Sequence, residues 1–142
     1  MIRRFETRDL SSVMELWLRS NVETHSFIKP AFWYANLQTI QASIASAEVY
    51  VYSDDENILG FIGLSGDHIE GLFVKKGYRS SGIGKKLLDF VKIHHTQLTL
   101  TVYERNLLAT KFYEREGFRK QGFQLDQFTS EVEYVMKWWT NG

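Results

Sequence analysis

The chain has 142 residues, 44% of them apolar and 15% aromatic, a size and composition typical of one globular domain. Its 17 basic and 17 acidic side chains cancel, which argues against a protein that binds nucleic acid or membranes through bulk charge. No cysteine is present, so disulfides, thiolate nucleophiles and cysteine-based zinc sites are excluded. The sequence also lacks the apolar core of a signal peptide and any run near the roughly 20 residues of a membrane span. We therefore expect one soluble, cytoplasmic domain over residues 1–142.

The first half of the chain predicts one strand, two helices and then three consecutive strands. Thr7 or Asp9 can cap the first helix, and Pro30, the only proline, suits the first turn of the second. In chain order, the predicted elements are a strand at residues 2–5, helices at about 9–20 and 30–47, and strands at 48–52, 58–65 and 68–75.

The second half alternates helix and strand before two closing strands. Apolar and polar residues alternate over residues 97–103, which predicts a strand, and Gly117 is placed to end the helix that follows it. The predicted elements are a helix at about 82–95, a strand at 97–103, a helix at about 106–116, and strands at 118–123 and 131–139. The whole order, βααβββαβαββ, predicts an α/β protein with a sheet of about seven strands.

A short loop with two glycines joins the strand that ends near Val74 to the next helix. It reads Arg79-Ser80-Ser81-Gly82-Ile83-Gly84 and is followed by Lys85. The first N–H groups of a helix lack partners within the helix, and the helix dipole adds partial positive charge there. Small residues let those amides converge on an anion, and Arg79 and Lys85 add positive charge nearby. The loop therefore predicts a phosphate site.

Two common phosphate motifs do not fit this loop. In a Walker A loop a lysine would follow Gly82, but Ile83 occupies that position. In a dinucleotide fingerprint the third glycine would fall at Leu87. Nucleotide-dependent phosphoryl transfer is therefore the weakest of the functions that a phosphate site suggests.

A second motif follows further along the chain and reads Asn106-Leu-Leu-Ala109-Thr-Lys-Phe112-Tyr113, ending at Gly117-Phe118. The loop and this motif, in this order, resemble the two signatures of the GNAT superfamily of acyl-CoA-dependent N-acetyltransferases, and the resemblance spans nearly the whole chain. It implies a mixed, mostly antiparallel sheet with helices on both faces, and acetyl-CoA as cosubstrate. One departure is Gly77, where family members commonly have proline.

The resemblance assigns the cofactor to the loop and to the strand before it. Residues Arg79, Ser80, Ser81, Gly82, Ile83, Gly84 and Lys85 would hold the CoA pyrophosphate. Backbone N–H groups of Leu72, Phe73 and Val74 would polarise the thioester carbonyl, because family members splay this strand from the next one.

The resemblance also gives roles to two residues of the second motif. Asn106 would bind the pantetheine arm of CoA. Tyr113 would protonate the departing thiolate, since a tyrosine hydroxyl stays protonated at neutral pH. Without the resemblance, Asn106 could serve as a helix cap and Tyr113 as a core tyrosine.

The general base is less defined. His68 and Glu70 share strand parity with Leu72 and Val74, so both would face one side of the sheet and both are candidates. Ordered water is an alternative to either side chain.

An aromatic group between the first two helices, formed by His25, Phe27 and Trp33, is the candidate acceptor site. The same residues could instead pack as a hydrophobic lid or core. Adjacent His94 and His95 cannot face one ligand on a helix, so no metal site is expected.

The resemblance therefore implies an enzyme that transfers acetyl from acetyl-CoA by direct attack of a primary amine on a small molecule, a protein lysine or an N-terminus. The alternative is a catalytically inactive acyl-CoA-binding sensor, and the presence of Tyr113 counts against it. We expect a monomer or homodimer whose partners are acetyl-CoA and the amine, with no nucleic acid, membrane or metal.

Overall fold

Residues 1–55 and 57–140, which the computed structural model describes, form a seven-stranded sheet flanked by five α-helices. The strands are β1 (Ile2–Arg4), β2 (Glu48–Asp54), β3 (Asn57–Ser65), β4 (His68–Val74), β5 (Gln97–Tyr103), β6 (Arg119–Leu125) and β7 (Val132–Trp139). The helices are α1 (Leu10–Thr24), α2 (Pro30–Ala35), α3 (Leu37–Ser46), α4 (Ile83–Lys92) and α5 (Leu107–Arg115), and a 3-10 turn (Thr7–Asp9) precedes α1.

The strands lie in the order β1-β2-β3-β4-β5-β7-β6. Neighbouring strands are antiparallel except β4 and β5, which are parallel. A parallel pair needs a crossover connection, and α4 provides it. This mixed, mostly antiparallel sheet with helices on both faces confirms the predicted α/β fold class.

Alternation along the strands divides the apolar side chains between two cores, one on each face of the sheet. The α1–α3 core joins these three helices to the sheet and includes Val13 and Val51. The α4–α5 core covers the other face. The alternation predicted for β5 is confirmed, since Leu98, Leu100 and Val102 all lie in the α4–α5 core.

The predicted second helix, residues 30–47, is in fact two helices that meet at Asn36. The Asn36 backbone leaves the helical conformation (φ −101°, ψ 4°), and its side-chain Nδ2 donates to the Phe32 carbonyl oxygen at 2.7 Å. The side-chain amide thus competes with the backbone for a helical acceptor. The first helix extends past its predicted end to Thr24, whereas α4 ends at Lys92 rather than near residue 95.

Asp9 lies at the N-terminal end of α1, as predicted, but its carboxylate makes no capping bond to that helix. It accepts hydrogen bonds from Arg3 Nη1 and Nη2 at 2.7 and 2.9 Å, and from the Glu6 N–H at 2.9 Å. Asp9 is buried, and its hydrogen bond with Arg3 holds the pKa of the carboxyl below its usual range. The ion pair of Arg3 with Asp9 connects β1 to the start of α1.

We expect Asp9→Asn to lower the free energy of unfolding by about 2 kcal/mol, because the charge-assisted bonds to Arg3 are lost. The folded pKa of Asp9 lies below the unfolded value of about 3.9, so this contribution is complete above that value. It is lost as the pH falls through the folded pKa. Urea denaturation of wild type and variant between about pH 2 and pH 8 measures the difference.

The matched control is Glu15→Gln, which removes the exposed pair of Glu15 with Arg19 (3.1 Å). Exposed pairs of this kind contribute less than about 1 kcal/mol. The prediction fails if the difference between wild type and Asp9→Asn stays constant down to the lowest pH.

Candidate active site

β4 and β5 are neighbours in the sheet but pair only where they begin. Within the described residues their register contains one pair, His68 with Thr99, and the Thr99 N–H donates to the Asp67 carbonyl oxygen at 2.9 Å. Beyond this pair the two strands separate, where the family resemblance implied a splay. The resulting gap leaves one edge of β4 without a partner strand.

β4 contains a β-bulge at Glu70. Its register against β3 pairs Gly71 with Gly63 and then Ile69 with Leu64, which leaves Glu70 as the extra residue. A bulge bends its strand and increases the local twist, so it turns β4 away from β5. Glu70 is exposed, and its carboxylate makes no hydrogen bond or ion pair with another described residue.

Because of this bulge, the predicted shared parity of His68 with Leu72 is wrong. Ile69 and Leu72 both lie in the α4–α5 core, which an uninterrupted strand would not allow. His68 therefore faces the α1–α3 side of the sheet, where its Nδ1 lies 2.8 Å from Thr99 Oγ1.

The pairing of β4 with β3 determines which backbone groups of β4 face the gap. The Lys75 N–H donates to the Leu59 carbonyl oxygen at 2.8 Å, and bonds to an antiparallel neighbour recur at every second residue. The Phe73 backbone is therefore directed to β3. The N–H and C=O groups of Leu72 and Val74 point into the gap.

The loop after β4 ends at a helix N-terminus with free amides. Gly82 caps α4 with a φ of 89°, a left-handed conformation that favours glycine. The Lys86 N–H is the first to bond within the helix, donating to the Gly82 carbonyl oxygen at 3.0 Å. The N–H groups of Ile83, Gly84 and Lys85 therefore have no acceptor within the helix and are available to an anion.

Other residues shape this loop through contacts within the protein. Ser81 Oγ donates to the Tyr78 carbonyl oxygen, and the exposed Ser80 has a φ of 73°. At Gly84, a Cβ would lie 3.4 Å from Phe112 Cζ. A larger side chain there would push α4 away from α5, so Gly84 also serves helix packing.

The two cations expected beside the anion are paired within the protein. Arg79 Nε donates to the Val74 carbonyl oxygen at 3.0 Å, and its Nη2 donates to Ser20 Oγ at 3.4 Å. Lys85 Nζ lies 3.0 Å from Glu116 Oε1, and this hydrogen bond raises the pKa of the lysine. Of the groups expected beside the anion, the N–H groups of Ile83, Gly84 and Lys85 are therefore the ones without an acceptor in the helix.

α5 carries the two residues singled out in the second motif. Asn106 caps the helix, since its Oδ1 accepts from the Ala109 N–H at 3.2 Å. Tyr113 is buried in the α4–α5 core against the rings of Phe112 and Phe118. Burial raises the pKa of Tyr113, and its hydroxyl makes no hydrogen bond to another described residue. The hydroxyl is therefore a protonated donor without a protein acceptor.

The predicted aromatic group belongs to the α1–α3 core, which Phe27 packs against, and His25 is buried beside it. Trp33 is buried in the α1–α3 core, and its Nε1 has no hydrogen-bond partner among the described residues. The His25 ring centroid lies 5.6 Å from those of Phe27 and Trp33, and 5.0 Å from that of Tyr103. His25 Nε2 lies 3.1 Å from Asn106 Nδ2, so this group reaches α5.

Two residues beside His25 were missed in the sequence. Asn21 Oδ1 lies 3.1 Å from His25 Nδ1, and their spacing of four residues on a helix was a usable signal. The Tyr103 hydroxyl donates to Asp126 Oδ2 at 2.8 Å, a contact between distant segments that no local pattern indicates.

Within residues 1–55 and 57–140, no group of three or more His, Cys, Asp or Glu side chains is arranged to hold a metal ion. Of the adjacent histidines, His95 has its Nδ1 2.8 Å from Asp67 Oδ1. None of the helices in this part of the chain is long and apolar enough to cross a membrane.

Comparison with known proteins adds four findings. A family model for an acetyltransferase (GNAT) domain matches residues 20–132. The chain is 32% identical over 140 residues to the peptidyl-lysine N-acetyltransferase YiaC of Escherichia coli (strain K12), covering 97% of this chain and 96% of that protein. The solution structure of apo-form YjaB from Escherichia coli superposes with a TM-score of 0.86 at 25% identity, covering 97% and 96%. The PaiA N-acetyltransferase from Thermoplasma acidophilum, solved in complex with coenzyme A, has the same fold, with a TM-score of 0.82, 20% identity and coverage of 99% and 98%.

Gly71, beside the bulge, lies under the ring of Phe73, since a Cβ at this position would be 2.4 Å from Phe73 Cε2. We expect Gly71→Ala to lower the free energy of unfolding by about 1–3 kcal/mol, because the ring must leave its stacked position on Phe61. Urea denaturation measures the change.

Gly63→Ala is the matched control, because Gly63 lies directly opposite Gly71 on β3. A Cβ there would meet only Val49 Cγ2 at 3.7 Å, an ordinary contact. We expect this variant to be as stable as the wild type or slightly more stable. Equal destabilisation of both variants would contradict the prediction.

Proposed function

Because the chain belongs to the GNAT family of acetyltransferases, we propose that it transfers the acetyl group of acetyl-CoA directly to the side-chain amine of a protein lysine. The observation that carries the proposal is the gap between β4 and β5, into which the N–H and C=O of Leu72 and the N–H of Val74 point. The α4 N-terminus lies at its open end. The choice of lysine is supported by the activity named for YiaC.

The gap supports a binding mode in which acetyl-CoA takes the place of a paired strand. The N–H groups of Ile83, Gly84 and Lys85 would donate to the pyrophosphate at the helix N-terminus. The N–H and C=O of Leu72 and the N–H of Val74 would bond to the pantetheine amides, as in β-strand addition, while Arg79 holds the Val74 carbonyl. Asn106, at the start of α5, would bind the same arm from the other side.

The reaction joins the amine nitrogen to the acetyl carbon and breaks the bond between that carbon and the CoA sulfur. Negative charge develops on the carbonyl oxygen, and the N–H of Leu72 or Val74 would stabilise it. One such donor is typically worth roughly 2.7–4 kcal/mol of activation free energy. Tyr113 would donate its hydroxyl proton to the departing thiolate, since a tyrosine hydroxyl is protonated at neutral pH.

The amine must lose one proton during the attack. Glu70 is the preferred base, because its carboxylate is exposed and has no ion pair or hydrogen bond among the described residues. His68 is the weaker candidate, since its Nδ1 is hydrogen-bonded to Thr99. Glu70 would receive the proton directly or through water.

We expect Gly82→Asp to weaken acetyl-CoA binding at least about tenfold, because a carboxylate would compete for the free amides of α4 and repel the pyrophosphate. Isothermal titration calorimetry with acetyl-CoA measures the Kd. The matched control is Gly77→Asp, since both glycines have a φ near 90° and open space at the Cβ position. Equal losses in the two variants would show that backbone strain, rather than the anion site, causes the effect.

We expect Tyr113→Phe to lower kcat by about 10²–10⁴-fold while the Kd for acetyl-CoA changes little, because only the proton donor is removed. Mass spectrometry of lysine-containing peptides incubated with acetyl-CoA and protein measures the product. Thermal unfolding is the control, and it should be nearly unchanged because the hydroxyl has no partner among the described residues.

The same assay tests the proposed function as a whole. Peptides with a lysine, peptides with only a free N-terminus and small amines are compared side by side. Acetylation of lysine supports the proposal. Acetyl-CoA binding without acetylation of any amine would instead indicate a sensor, and unchanged turnover in Tyr113→Phe would reduce that residue to a packing role.

A further inference from the structure

A continuous set of hydrogen bonds passes through His25 and joins α1 to the first turn of α5. Asn21 Nδ2 donates to the Trp17 carbonyl oxygen at 2.9 Å, and Asn21 Oδ1 lies 3.1 Å from His25 Nδ1. On the other side of the ring, His25 Nε2 lies 3.1 Å from Asn106 Nδ2. The two helices belong to opposite faces of the sheet, so this set crosses from one core to the other.

Backbone groups at both ends fix the direction of every bond. The Trp17 carbonyl can only accept, so Asn21 presents its oxygen to His25, and Nδ1 of the ring must carry the proton. At the other end, the Ala109 N–H can only donate, so Asn106 uses its oxygen there and its Nδ2 toward the ring. His25 Nε2 must therefore be the unprotonated nitrogen.

The surroundings of His25 keep the imidazole neutral. The side chain is 9% exposed and lies among the rings of Phe27, Trp33 and Tyr103, and this burial lowers the pKa of His25 to about 4. Charged groups on neighbouring elements are engaged elsewhere: Asp126 accepts from the Tyr103 hydroxyl and Arg105 lies 5.4 Å from the Phe27 ring centroid. No described carboxylate contacts the ring.

We propose that His25 is a positioning residue that, as a neutral imidazole with its proton on Nδ1, fixes the Asn106 amide for the cofactor. One Nδ2 hydrogen of Asn106 bonds to His25, and the other is left for the pantetheine arm in the gap. This inference rests on the proposed role of Asn106 in binding acetyl-CoA. It differs from the expected role of His25 as an acceptor contact, because both ring nitrogens are already bonded to the protein.

The first test determines the protonation state of both ring nitrogens of His25 by two-dimensional ¹H–¹⁵N NMR across a pH titration. Wild type should show protonated Nδ1 and unprotonated Nε2 at neutral pH. Asn106→Asp should raise the pKa of His25, because a carboxylate oxygen then faces Nε2 and favours a proton there. Asp caps helices as well as Asn, so the fold should be retained. A proton on Nε2 in wild type, or an unchanged titration in Asn106→Asp, would overturn the proposal.

The second test distinguishes an effect on acetyl-CoA binding from an effect on acceptor binding. His25→Phe keeps a ring in the cluster but removes both nitrogens, whereas His25→Gln retains an acceptor for Asn106. We expect His25→Phe to raise the Kd for acetyl-CoA about tenfold and to leave the acceptor KM unchanged. His25→Gln should restore most of the lost affinity for acetyl-CoA. Thermal unfolding shows that the variants are folded.

Three results would count against the proposal, and they can be told apart. If the loss in His25→Phe falls on the acceptor KM, the residue contacts the acceptor. If wild type and His25→Phe bind acetyl-CoA equally well, the positioning role of His25 is overturned but the proposed function is not. If wild type does not bind acetyl-CoA, the proposed function fails and the role of His25 fails with it.

Discussion

The separation of β4 from β5 is the constraint on which the rest of the structure depends. Strands inside a sheet normally satisfy the backbone groups of both neighbours, and an unpaired buried group costs about 1–3 kcal/mol. Here the His68–Thr99 pair holds the strands together at one end, and the bulge at Glu70 turns β4 away beyond it. Arg79 satisfies the Val74 carbonyl. The groups that remain open lie where the proposed cofactor would replace a strand.

Two side chains link the parts of the protein that border this gap, and both links begin at the C-terminal half of α1. Arg79 connects the end of β4 to Ser20, and His25 connects Asn21 to Asn106. The two faces of the sheet are otherwise separate cores. The position of α1 therefore affects the β4 side and the α5 side of the gap together.

The sequence indicated most of the element order, the glycine-containing turn into α4 and the apolar face of β5, because each of these depends on a local pattern of spacing or turn chemistry. The parity of His68 was predicted wrongly, because the bulge at Glu70 appears only in the pairing with β3. The break at Asn36 was missed, because a side-chain amide overrides a helical pattern there. The partners of Arg79 and Lys85 within the protein were also missed, because they come from elements distant in sequence.

The difference between the features that were predicted and those that were missed depends on whether backbone or side-chain atoms make the contacts. The proposed cofactor contacts are backbone groups of β4 and α4, so few side chains are constrained, and those that are leave a recognisable motif. Gly82 is needed for its conformation and Gly84 for its distance from Phe112. The region around His25 is built from side chains on α1, α2, β5 and the segment between α1 and α2. Many different residues could fill such a region, so its role depends on hydrogen-bond geometry, of which the spacing of Asn21 and His25 indicates only one contact.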